Sequence, residues 1–172
     1  MSAPSISGPS LAGPSLAGPS VAAPAPANHF AGALLEKHNS ERWRMGVPRL
    51  VWSAKLAREA HVWARQMAAD ERMYHSTAAQ RGNTGENLWR GTKGYYDADA
   101  IMDAFLSERR MFRSGKFPDV STTGQWSDVG HYTQIIWRDT QEVGCAIVAG
   151  ARDDYLACRY YPSGNWIGQP VG

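Results

Sequence analysis

The chain has 172 residues with 18 basic and 16 acidic side chains, a formal net charge of +2. The two signs interleave without a basic run, which argues against a nucleic-acid groove. No stretch approaches the roughly 18 apolar residues of a membrane span, and the length is enough for one domain with a core of its own.

Residues 1–28 differ from the rest. They carry no charge, six of the ten prolines and a five-residue repeat, Ser10-Leu11-Ala12-Gly13-Pro14 followed by Ser15-Leu16-Ala17-Gly18-Pro19. Such a segment offers too little apolar surface to offset the entropy of ordering it, and it reads as a disordered leader or linker. It lacks the basic start and continuous apolar stretch of a signal peptide. Residues 29–172 read as the single folded domain.

Ala31 to about Met45 reads as a first helix of weak period, stopped by Gly46-Val47-Pro48. Ser53 is a candidate N-cap for a second helix to about Ala69. There Leu56, Ala60, Trp63 and Met67 make one apolar stripe. From Asp70 to Tyr96 the pattern is irregular, with a short strand expected at Glu86–Trp89. Asp97 or Asp99 caps a third helix ending near Phe112. A loop, Arg113 to Ser127, leads to a fourth helix starting near Asp128 or Val129.

Gly144–Ala149 and Asp154–Tyr161 read as a hairpin, and Pro162–Gly172 as a terminal loop. Setting Cys145 opposite Cys158 puts Ile147 opposite Leu156 and Ala149 opposite Asp154, with both sulfurs on one face. The two cysteines are then either bridged or unpaired core residues. Helices come first and paired strands last, an α+β order with an at least partly antiparallel sheet.

Two positions stand out on chemistry. On the third helix, Ile101, Phe105 and Glu108 share a stripe, so a carboxylate faces apolar surroundings and needs a partner there, or else pairs with an arginine at the surface. His131 lies in the first turn of its helix, one turn from Ile135. His75 and Glu86 sit in the irregular segment, where pattern alone does not join them to anything.

The segments Gly130-His131-Tyr132-Thr133-Gln134-Ile135-Ile136-Trp137 and Tyr155-Leu156-Ala157-Cys158-Arg159-Tyr160-Tyr161-Pro162-Ser163-Gly164-Asn165-Trp166 resemble the two signatures of the CAP superfamily (cysteine-rich secretory proteins, antigen 5 and pathogenesis-related 1 proteins). His38-Asn39, Gly46-Val47-Pro48 and Leu50-x-Trp52 resemble its opening segment, so the likeness runs from about Ala33 to Val171. The few cysteines and the Ala/Gly/Pro-rich leader resemble bacterial SCP-type members most.

This resemblance implies a three-layer α-β-α sandwich with a mainly antiparallel central sheet, a secreted or extracytoplasmic protein, and a Cys145–Cys158 disulfide. It also implies an open cleft holding His75, Glu86, Glu108 and His131, brought from the Gly85-Glu86-Asn87 turn, the Phe105-Leu106-Ser107-Glu108 unit and the first signature. Imidazole and carboxylate donors suit a divalent ion, Zn²⁺ first.

Yet the four have 10, 21 and 22 residues between neighbours, with no His-Glu-x-x-His element. A metal-competent cleft and a metal-free polar network therefore both remain open. Three functions follow: a module binding a metal and an extracellular protein, lipid or sterol; a metal-dependent, peptidase-like hydrolase with Glu86 or Glu108 as base; or a structural or wall-associated protein with a vestigial cleft. The resemblance carries no single established reaction. No phosphate loop, dinucleotide fingerprint or serine elbow is present.

Overall fold

The computed structural model of the protein describes residues 28–172, so the expected leader lies outside the described residues apart from Asn28. That residue belongs to the fold. Its side chain accepts a hydrogen bond from the Ala31 N–H at 2.8 Å and caps α1, His29–Arg44. The weak period of α1 has a physical cause: its inner face buries His38, Asn39, Glu41 and Arg42 beside Leu34.

The two-residue strand β1, Val51–Trp52, leads into α2, Ala54–Ala69, capped by Ser53 as expected. The irregular stretch holds more structure than its composition suggests. It contains a one-turn helix, α3 (Ala78–Arg81), and an eight-residue strand, β2 (Gly85–Thr92), rather than the four-residue strand expected. Polar residues and glycines hide β2 in the sequence, and it runs along a sheet edge where only Asn87 and Leu88 are buried.

Asp97, not Asp99, caps α4, Ala98–Leu106. The helix then tightens into a 3₁₀ turn, Ser107–Met111, instead of continuing to Phe112. Strand β3, Gly115–Lys116, and a second 3₁₀ turn, Trp126–Asp128, interrupt the expected loop before α5, Gly130–Ile135. Strands β4 (Glu142–Ala149) and β5 (Asp153–Tyr161) form the hairpin with the expected register of Cys145 on Cys158, Ile147 on Leu156 and Ala149 on Asp154. The two sulfurs are bonded. The last segment is not all loop, since β6, Pro170–Val171, pairs antiparallel with β3.

The main sheet runs β1-β4-β5-β2, with β1 parallel to β4 and the other pairings antiparallel. It is mixed, and mainly antiparallel. On one face, Ala60, Trp63, Ala64 and Met67 of α2 pack on Leu88, Tyr155 and Ala157. On the other, α1, α4 and α5 pack Leu34, Ile101, Phe105 and Ile135 against Val143, Leu156 and the disulfide. Alternation along β4 and β5 supplies both faces, and the result is an α-β-α sandwich.

Gly144 marks a close approach of backbone to backbone between layers. A Cβ there would lie 2.3 Å from the Ala57 nitrogen and 2.5 Å from the Ser53 carbonyl oxygen.

Candidate functional site

The four candidate residues meet as two pairs. His75 follows α2, and Glu86 is the second residue of β2. The Nδ1–H of His75 donates to Glu86 Oε1 at 2.7 Å. The same carboxylate accepts from the Ser76 N–H at 3.0 Å and the Ser76 hydroxyl at 2.8 Å, and pairs with Arg159 Nη2 at 3.1 Å. Its side chain is 1% exposed, whereas that of His75 is 59% exposed. Burial opposes ionisation of Glu86, but His75, Arg159 and Ser76 outweigh it and hold the carboxyl below its usual range. Glu86 is therefore a saturated, ionised acceptor with an imidazole fixed on it.

The second pair joins the 3₁₀ turn after α4 to the start of α5. His131 Nδ1–H donates to Glu108 Oε1 at 2.5 Å, and the Tyr132 N–H donates to Glu108 Oε2 at 3.0 Å. The inward carboxylate on the α4 stripe thus finds a histidine and a helix N-terminal amide, not a surface arginine. The Phe105 ring stacks on the imidazole at 4.9 Å between centroids.

Several buried groups fix α5 in place. Arg42 is fully buried and donates to the carbonyls of Pro48, Ile135, Trp137 and Thr140, which gathers the loose carbonyl end of α5. Burial lowers its pKa to about 10, so it stays charged at neutral pH. At the other end, Asn165 donates to the Gly130 carbonyl at 2.9 Å and accepts from the Thr133 hydroxyl at 2.7 Å. Gln134 accepts from the Gly164 N–H at 2.9 Å. The Gly164-Asn165 step of one signature is thereby a clamp on the helix of the other.

A cleft of about 760 Å³ lies over these elements. His75, Glu86 and His131 line it, while Glu108 is not part of the wall. Phe117, Pro118, Trp126, Trp166 and Ile167 make an apolar side, with Trp126 and Trp166 about half exposed.

Each imidazole is held through Nδ1, which leaves Nε2 free to meet a ligand, the arrangement by which carboxylates orient metal-binding histidines. The donor chemistry fits a zinc-like ion through two nitrogens. Among the described residues no group of three His, Cys, Asp or Glu converges to hold one, so water or a ligand would complete any coordination shell.

Sequence reasoning missed Ser76, Arg159, Asn87 and Gln134. Arg159 and Gln134 lie inside the two signatures, and strand alternation after Cys158 was the available signal for Arg159.

The sequence profile of CAP, the cysteine-rich secretory protein family, matches residues 35–160. Pathogenesis-related protein 1C of Nicotiana tabacum is 35% identical over 136 residues, 78% of this chain and 76% of its own. Secreted protein RBT4 of Candida albicans is 34% identical over 142 residues, 81% of this chain and 36% of its own. Among solved structures, NaASP2 with Zn²⁺ superposes with a TM-score of 0.72 at 25% identity, covering 86% of this chain and 88% of that one. Profile, relatives and sandwich agree: the chain belongs to the cysteine-rich secretory protein (CAP) family.

Proposed function

We propose that residues 29–172 form a single secreted CAP domain whose cleft binds a divalent cation, zinc first, through His75 and His131, beside an extracellular ligand. The observation that carries this reading is the pairing itself. Two imidazoles line one cleft, each fixed by a carboxylate through Nδ1. The likeness to NaASP2, whose structure contains Zn²⁺, supports the choice of ion. The disulfide and the likeness to a secreted relative support an oxidising, extracytoplasmic setting.

Glu86 and Glu108 act as orienters in this reading. A general base must have a free lone pair facing its proton, and Glu86 already has His75, Ser76 and Arg159 on its two oxygens. Glu108, whose oxygens meet His131 and Tyr132, lies outside the cleft wall, so the site favours binding over hydrolysis. The apolar side of the cleft suits the carbon skeleton of an amphipathic ligand, such as a lipid or sterol, whose polar end would reach the histidines.

Calorimetric titration of the full chain with ZnCl₂ at pH 7 tests the reading. The expected result is saturable uptake that weakens in His75→Ala and in His131→Ala and disappears in the double variant. Uptake that is absent, or unchanged in the double variant, overturns it.

A further inference from the structure

Arg159 and Tyr160 are consecutive on β5, so their side chains leave opposite faces of the sheet. Each reaches a different histidine through one intermediary on β2. Arg159 stands opposite Glu86 in the β2–β5 register and pairs with it at 3.1 Å, and Glu86 holds His75. On the other face, Asn87 donates to the Tyr160 oxygen at 3.2 Å and to the His131 carbonyl at 3.1 Å. The Tyr160 hydroxyl lies 2.8 Å from His38 Nε2, and His38 Nδ1 lies 2.7 Å from the Leu34 carbonyl, so Tyr160 donates to His38 and accepts from Asn87. Arg159 is 3% exposed and Tyr160 is fully buried.

We propose that Arg159 and Tyr160 are positioning residues for the two imidazoles, Arg159 for His75 through Glu86 and Tyr160 for His131 through Asn87. The separation of the two imidazoles is then governed by one strand. This inference rests on the cleft being a histidine-centred site, and it names what sets its geometry.

The physical cause differs on the two faces. Arg159 Nη2 holds Glu86 Oε2 at 3.1 Å, whereas the next cation, Arg81 Nη1, stands 3.8 Å from Oε1. Without Arg159 only the Ser76 hydroxyl remains on Oε2, the carboxylate is free to turn, and Oε1 no longer fixes the Nδ1–H of His75. Arg159 is placed for this task and little else: its Nη1 reaches Thr84 at a long 3.4 Å, and its Nε has no hydrogen-bond partner among the described residues. Tyr160 acts through a neutral chain instead. Without its hydroxyl, Asn87 loses one of the two acceptors that set its amide, and the carbonyl in the first turn of α5 loses a fixed donor.

The test is the ¹⁵N imidazole spectrum of the metal-free full chain at pH 8, recorded for the native protein, Arg159→Met and Tyr160→Phe. The native protein should show both cleft imidazoles as single Nδ1–H tautomers. Arg159→Met should convert His75 to a tautomer mixture and leave His131 unchanged. Tyr160→Phe should move the His131 resonances and leave His75 unchanged.

Arg159→Lys, which keeps the charge but not the fork, should restore most of the His75 tautomer. If Arg159→Met does not fold, Arg159→Lys carries the test, with a partial shift confined to His75. A buried pair serving stability alone would not select one histidine. Variants that perturb both histidines, neither, or the opposite one overturn the proposal.

Zinc titration of the same proteins separates this inference from the metal reading. Selective spectral changes in a native protein that takes up no zinc would sink the metal reading alone. Zinc uptake without selective changes would sink the positioning role alone. Where zinc binds, each variant should weaken it about 10-fold or more.

Discussion

Glu108 accepts two hydrogen bonds from adjacent residues, from the His131 ring at 2.5 Å and from the Tyr132 backbone amide at 3.0 Å. One carboxylate therefore caps the first turn of α5 and orients the imidazole that the turn displays. Neither task can be given up without disturbing the other.

Glu108→Gln tests that coupling. A glutamine can accept from only one of the two donors and must point its own NH₂ at the other. The expected cost is about 1–3 kcal/mol of stability, measured by urea unfolding, together with about a 10–100-fold loss of zinc affinity. A loss of stability with zinc affinity unchanged would separate the cap from the site.

Acid should weaken the fold from a specific residue upwards in pH. Burial lowers the His38 pKa from 6.5 to about 4, against a smaller upward pull from the Leu34 carbonyl. The unfolded chain therefore binds this proton more readily. The contribution of neutral His38 is complete above pH 6.5 and is lost as the pH falls towards 4, on the order of 3 kcal/mol in the acid limit.

Glu41 and Glu86 have depressed pKa values, so their contribution is present above the ordinary carboxylate range and is lost as the pH falls below it. Urea midpoints between pH 7 and pH 5 should fall, and His38→Gln should flatten that fall. An unchanged slope in the variant would show that His38 is not its source.

Gly144→Ala should be among the costliest single-methyl additions in the protein. The new Cβ would meet backbone of α2, at Ala57 and Ser53, and backbone cannot rotate aside. A loss of about 3 kcal/mol is expected from overpacking of this kind, read from the thermal midpoint. Gly32→Ala makes the control, because nothing lies within 4 Å of its Cβ position.

The disulfide links residues 13 apart in sequence and ties β4 to β5. For a loop of that size the chain-entropy model gives about 3 kcal/mol. The double variant Cys145→Ala/Cys158→Ala should melt lower by a corresponding amount, and dithiothreitol should lower the native midpoint but not that of the variant. Equal midpoints with and without reductant would mean the bridge adds nothing.

Local rules revealed the parts of the fold that local rules build. The stripe on α2, the Ser53 cap and the β4–β5 register follow from periodicity and a short turn. β2 reads at half its length because an edge strand gains little from apolar residues. The β3–β6 pairing joins two short strands far apart in sequence, with no pattern to find. The site was less legible still. The Glu108 stripe points to a buried or half-buried carboxylate, but only the family resemblance joins His75 to Glu86, since both belong to an irregular segment. Arg159 lies within the second signature, but a charged residue in a strand usually faces water, so pattern assigns it no role.

The pairing of β3 with β6 has a practical side. The Phe117 N–H donates to the Gln169 carbonyl at 2.9 Å, the Gly168 N–H to the Phe117 carbonyl at 2.7 Å, and Val171 is buried. One rim of the cleft is thus stitched to residues 168–171. Loosening residues 168–171 would therefore slacken the Phe117 side of the cleft, although the two segments lie far apart along the chain.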